Sequence, residues 1–177
     1  MNPENIVLIS FGQFEAAFLL SIAREVKREF HHPVRIREGH LDLSEHYDAV
    51  RGQYNANSLL KAVDQMHRPE HTKTFGLFQV DLFIPILTFI FGQAFLNGRS
   101  GIASLYRFRS ERYGMKSNED ALLERFTKEV IHELGHTFGL VHCYFPGCVM
   151  QSSTYIEDID QKNAGLCAQC REKLNPG

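Results

Sequence analysis

At 177 residues and 44% hydrophobic, the chain can bury a core as one domain. Its formal charge of −2 gives no electrostatic reason to expect a nucleic-acid partner. The Phe-, Ile- and Leu-rich stretch at 75–96 is interrupted by Gln79, Asp81, Pro85, Gly92 and Gln93, which argues for buried strands over a membrane span.

In chain order, residues 6–9 read as a strand and residues 14–30 as a helix packed on one face through Phe14, Ala17, Phe18, Ile22 and Val26. A strand is predicted at 34–37, a helix at 57–66 through Leu59, Leu60, Val63 and Met66, and a strand at 74–80. Strands alternating with helices imply an α/β (α+β) fold with a mixed, mostly parallel sheet. Further strands are predicted at 86–91 and 102–108, joined by a turn at Asn97-Gly98-Arg99-Ser100-Gly101. One of them is expected to form the rim of a cleft, where an extended peptide can add itself to the sheet edge. A long helix is predicted from Ser117-Asn118-Glu119-Asp120, with Ser117 as hydroxyl cap, Asp120 three positions on, and a core stripe of Leu123, Phe126, Val130, Leu134 and Phe138. That stripe lies away from the next residues of interest, so one side of the helix is packed and the other is free for chemistry.

The stretch from His132 to His142 carries that chemistry. Residues four apart on a helix lie one above the other, so His132 and His136 can both address one ion, with Glu133 beside it. Gly139 can take the left-handed conformation that ends a helix and turns the chain back, bringing His142 in as third ligand. Three neutral imidazoles leave a fourth position open for water, whose pKa falls to about 7 in comparable zinc sites. A lone histidine on a helix is better read as a hydrogen-bonded core residue, but five positions coincide here. The spacing therefore predicts zinc-dependent hydrolysis of peptide bonds, with Glu133 as general base.

All four cysteines follow, as a CxxxxC pair, Cys143 and Cys148, and a CxxC pair, Cys167 and Cys170. The spacing suits a closed tetrahedral thiolate site for a second, structural zinc. Two disulfides are the alternative, favoured in a small secreted domain. The N-terminus has no basic region, and its apolar run is too short for a signal core, so a reducing cytoplasm is the expected setting. The expectation is one domain of two lobes, 1–139 with the active-site helix above and 140–177 below, the lower lobe irregular and organised by metal rather than by a hydrophobic core. A monomer acting on peptide or protein substrates is expected. The acidic group Glu157, Asp158 and Asp160 reads as a solvated loop rather than a calcium site. His31, His32, His40, His46, His67 and His71 read as surface or locally hydrogen-bonded residues.

These motifs, in this order, resemble those of the archaemetzincins, a branch of the metzincin clan of zinc peptidases. The matching parts are the extended HExxHxxGxxH of His132 to His142, Cys143 directly after it, Cys148-Val149-Met150, and Cys167 with Cys170. The upstream chain matches more loosely, in length and in features such as Leu105-Tyr106-Arg107. The resemblance implies a two-lobed zinc protease in which Met150 is an apolar floor beneath the histidines. It departs from clan members that use a tyrosine two positions after that methionine, because Ser152 stands there; Tyr144 and Tyr155 are off the pattern and are assigned no metal. With no cysteine before Cys143, latency by a cysteine switch is not expected. Two rival functions are a three-histidine zinc ribonuclease, disfavoured by Glu133, the cysteines and the charge, and a zinc-stabilised peptide-binding module without turnover, disfavoured by the intact Glu133.

Overall fold

A computed structural model describes residues 5–175. The chain runs through β1 (Asn5–Phe11), α1 (Ala16–Phe30), β2 (Val34–Gly39), β3 (Tyr47–Asp48), β4 (Gln53–Asn55), α2 (Ala56–Gln65), β5 (Thr72–Phe78), β6 (Leu82–Phe83), β7 (Gly92–Ala94), β8 (Ser100–Ser104), α3 (Glu119–Thr137), α4 (Ile156–Gln161) and α5 (Ala168–Leu174). A five-stranded sheet has the order β2-β1-β5-β8-β7, parallel except for β7, which lies antiparallel on β8 at the edge. Strands β3, β4 and β6 form a separate small sheet.

Alternation along the central strands divides the core. Ile6, Leu8, Phe75, Leu77 and Ala103 join one apolar cluster with α1 and α3, whereas Ile9, Phe11, Phe78 and Ile102 join another with α2. The sheet is therefore covered by helices on both faces, the α/β arrangement expected. The helix predicted at 14–30 begins at Ala16, and those at 57–66 and 117 onward are α2 and α3; the latter is capped by Asn118, whose Oδ1 accepts the Ala121 N–H, and not by Ser117.

Three expectations are corrected. Residues 86–91 form no strand: they lie in an irregular loop with one isolated bridge, Leu82 to Ile90, in which Ile86 and Leu87 are exposed. Pro85 has no N–H for a ladder, and side chains occupy the carbonyls of Pro85, Leu87 and Thr88. The strand at 102–108 stops at Ser104 and gives way to a 3₁₀ turn at Tyr106–Phe108. The segment after Gly139 is not held by metal ligands alone, because Leu140, Val149, Met150, Ile159 and Leu166 join the same cluster as α1 and the sheet. Among the described residues no helix is long and apolar enough to cross a membrane.

The free face expected of α3 is also absent. Every residue from Arg125 to Gly135 is buried, since the sheet covers one side and the chain after Gly139 the other. His132 and Glu133 are thus part of the interior and open onto a cleft, whereas His142 is exposed. The acidic group after Met150 is helical and internally bonded: the Asp158 Oδ2 accepts the N–H groups of Thr154 and Tyr155, and Asp160 pairs with the buried Arg125.

Candidate metal centre and active site

α3 delivers His132 and His136 one turn apart, and the chain then reverses at Gly139, whose φ of +91° lies in the left-handed region. The His136 carbonyl accepts both the Gly139 N–H at 2.9 Å and the Asn97 N–H from the β7–β8 turn at 2.8 Å, which anchors the reversal against the sheet edge. His142 follows, and the three imidazoles come together with their ligating nitrogens all within 4.8 Å of one another.

Hydrogen bonds fix which nitrogens are free. His132 Nδ1 stands 2.8 Å from the Val149 carbonyl and His136 Nδ1 2.7 Å from the Leu140 carbonyl. A carbonyl only accepts, so both Nδ1 atoms carry the proton and both Nε2 atoms present lone pairs. Those two Nε2 atoms are 3.1 Å apart. Two lone pairs at that distance repel unless a cation lies between them, and two imidazole nitrogens on a tetrahedral zinc stand about 3.3 Å apart. Burial, then the Lys162 ammonium, holds the pKa of His132 well below the ordinary imidazole value; burial also lowers those of His136 and His142. The rings are therefore neutral, as metal ligation requires. The donor set fits zinc.

Glu133 is buried and lines the same cleft, a cavity of about 480 Å³ bounded by β7, by residues 84–91 and by Ser152 to Tyr155. Burial, then the neighbouring Glu129 carboxyl, pushes the Glu133 pKa well above the usual carboxylate range, and burial raises that of Glu129. A cation at the histidines would draw it back down. Met150 is fully buried, and its carbonyl accepts the Cys143 N–H at 2.9 Å.

The four cysteines form a second group, with Sγ atoms also within 4.8 Å of one another. Cys143 and Cys167 are 3.8 Å apart and Cys148 and Cys170 3.9 Å. A disulfide requires about 2.05 Å, whereas thiolates on a tetrahedral zinc stand about 3.8 Å apart. The geometry fits a metal and not two disulfides.

A family model described as peptidase family M54 matches residues 11–176. The chain belongs to that family. It is 39% identical over 142 residues to an archaemetzincin of Methanopyrus kandleri, covering 80% of this chain and 77% of that one. To an archaemetzincin of Methanocaldococcus jannaschii it is 40% identical over 128 residues, 72% and 69% of the two chains. Its fold matches the crystal structure of a zinc-dependent peptidase from Methanocorpusculum labreanum with a TM-score of 0.87 at 31% identity, covering 96% of this chain and all of that one. The crystal structure of the M. kandleri archaemetzincin matches with a TM-score of 0.85 at 32% identity, over 97% and 93% of the chains. The archaemetzincin resemblance seen in the motifs is borne out, and this M54 chain is a zinc metallopeptidase.

The M54 site also uses residues that the sequence did not single out. A Cβ on Gly135 would lie 2.5 Å from the Met150 sulfur, so the glycine is what lets the methionine pack against the helix. A Cβ on Gly92 would lie 2.7 Å from the Ile102 carbonyl oxygen, 2.9 Å from Glu133 Cγ and 3.0 Å from a Glu129 oxygen, so the edge strand sits directly against both carboxylates. Lys162 is buried beneath the site, donating to the Gln151 carbonyl at 3.0 Å. A glycine inside a helix and a lysine at the end of a short acidic helix are weak signals by themselves; their meaning comes from contacts distant in sequence.

Proposed function

We propose that this chain hydrolyses peptide bonds at a zinc ion held by His132, His136 and His142, with Glu133 as general base and then as proton donor to the leaving amine. Zinc, when bound there, supplies the Lewis acid that polarises a carbonyl and brings the pKa of water to about 7. Glu133, which lines the cleft beside the histidines, takes the proton from the attacking water and returns it to the leaving nitrogen. Strand β7, an edge of the sheet bordering the cleft, orients an extended substrate through backbone hydrogen bonds. Cys143, Cys148, Cys167 and Cys170 hold a second zinc, which steadies His142 through its neighbour Cys143. The whole works as one metalloprotease domain, residues 1–139 carrying the helix and 140–177 the cysteine site. The thiol spacing supports a reducing, cytoplasmic setting.

The observation that carries the reading is the pair of His132 and His136 Nε2 lone pairs facing each other at 3.1 Å beside Glu133. The test is the zinc-loaded Glu133→Ala variant. It should keep two zinc ions per chain by elemental analysis and lose at least about 10²- to 10⁴-fold in peptide hydrolysis. Hydrolysis equal to wild type would overturn the assignment of the base.

A further inference from the structure

The Leu105-Tyr106-Arg107 stretch, which the chemistry does not use, supports one wall of the cleft through Arg107. Arg107 forms a bidentate pair with Asp81, Nε to Oδ1 at 2.7 Å and Nη2 to Oδ2 at 2.6 Å. Its guanidinium lies 4.3 Å from the centre of the Phe89 ring, whose other neighbour is Phe91, edge-on at 5.5 Å. Phe89 thus packs against both Arg107 and Phe91. Asp81 also accepts from Gln53 Nε2 at 3.1 Å, and that nitrogen donates to the Thr88 carbonyl at 3.0 Å. Arg51 donates to the carbonyls of Leu87 at 3.0 Å and Pro85 at 3.1 Å. Side chains from β4, from the turn before it and from the 3₁₀ turn after β8 therefore hold residues 84–91 in place.

What that fixed backbone presents is apolar. Ile84, Leu87, Phe89 and Ile90 line the cavity that contains Glu133, and Leu87 is 48% exposed. Across the cavity stands Tyr155, 63% exposed. Among the described residues no lysine or arginine lines the cavity, so an acidic substrate side chain would find no basic side chain to pair with there.

We propose that residues 84–91 are a fixed specificity wall, pinned by Arg107, Gln53 and Arg51, that selects polypeptides presenting a large apolar side chain beside the scissile bond. Arg107 is a positioning residue for that choice, acting through Phe89 and Asp81 without touching the reacting atoms. The inference rests on the peptidase reading of the site.

The test uses zinc-loaded Glu133→Gln protein to measure equilibrium binding of fluorescent peptides that differ at one central position, Phe, Leu, Ala, Lys or Asp. Burying the large side chain should favour Phe and Leu over Ala by about tenfold or more, with Asp weakest. Adding Arg107→Met or Leu87→Ala should reduce the Phe-to-Ala ratio severalfold while affinity for the Ala peptide stays near its parent value. Equal binding of all five peptides, or an Arg107→Met loss shared equally by all, overturns the wall. Wild-type protein assayed on the same peptides separates the two ideas: selective binding with no cutting overturns the peptidase reading and leaves the specificity wall standing.

Discussion

A helical glycine costs about 0.5–1 kcal/mol relative to alanine, so Gly135 needs a reason, and the Met150 sulfur 2.5 Å from its absent Cβ supplies one. Gly135→Ala should therefore lose stability, by about 1–3 kcal/mol as overpacking does, in place of the gain that propensity alone would give. It should also weaken zinc at the histidines, because Val149, beside Met150, orients His132. Denaturant unfolding and zinc titration of the variant check both effects; a more stable variant would show that the methionine yields freely. His132 contributes to the pH response of the metal-free protein. Its folded pKa lies well below 6.5, so below that pH the unfolded chain binds the extra proton and folded stability falls as pH drops. The metal-free wild type should lose more stability than metal-free His132→Gln between about pH 7 and 5, by no more than about 1.4 kcal/mol per pH unit. A larger loss in the variant would contradict the neutral ring. The grouping of the three histidines was readable because spacing alone brings the imidazoles together, whereas Glu129, Lys162 and Gly92 matter only through contacts that the spacing does not encode.

At the scale of elements, periodicity located α1, α2 and the parallel strands, because each buries one regular face against the sheet. It failed at residues 86–91, where apolar side chains line a cleft instead of a core, and where the partners of the backbone come from Arg51 and Gln53, more than thirty positions away. At Glu157, Asp158 and Asp160 the solvent exposure suggested by charge holds for Glu157 and Asp160, but the segment is the helix α4 rather than a loop, and Asp160 pairs with the buried Arg125. Glu29 is a similar hidden link: buried on α1, it accepts the Leu166 N–H at 2.8 Å and pairs with Arg171, fixing the approach to Cys167. Glu29→Leu should cost about 2–3 kcal/mol by orphaning a buried N–H and a cation, and Glu29→Gln less, since its amide oxygen still accepts. Faster metal loss from the cysteines in the leucine variant, followed with a thiol reagent, checks the link; unchanged loss would detach Glu29 from the cysteine site.

Over the whole molecule, the active-site helix is an interior beam with the sheet on one side and the chain after Gly139 on the other. Both sides contribute to one apolar cluster, Phe75 and Leu77 from the sheet and Val149 and Met150 from beyond the helix. The segment after Gly139 read as irregular because its helices are six and seven residues long, too short for a periodic signature. This continuity places the histidines, Glu133 and the wall at 84–91 in a single rigid frame, which is what catalysis by positioned groups needs. The measurement that tests the account most directly is the zinc anomalous map of crystals of the zinc-loaded protein. Two ions are predicted, one about 2.0–2.1 Å from Nε2 of His132 and His136 and from a His142 ring nitrogen, the other about 2.3 Å from four cysteine sulfurs, with Glu133 beside the first and not bonded to it. Zinc ligated by Glu133, or absent from the three histidines, would contradict it.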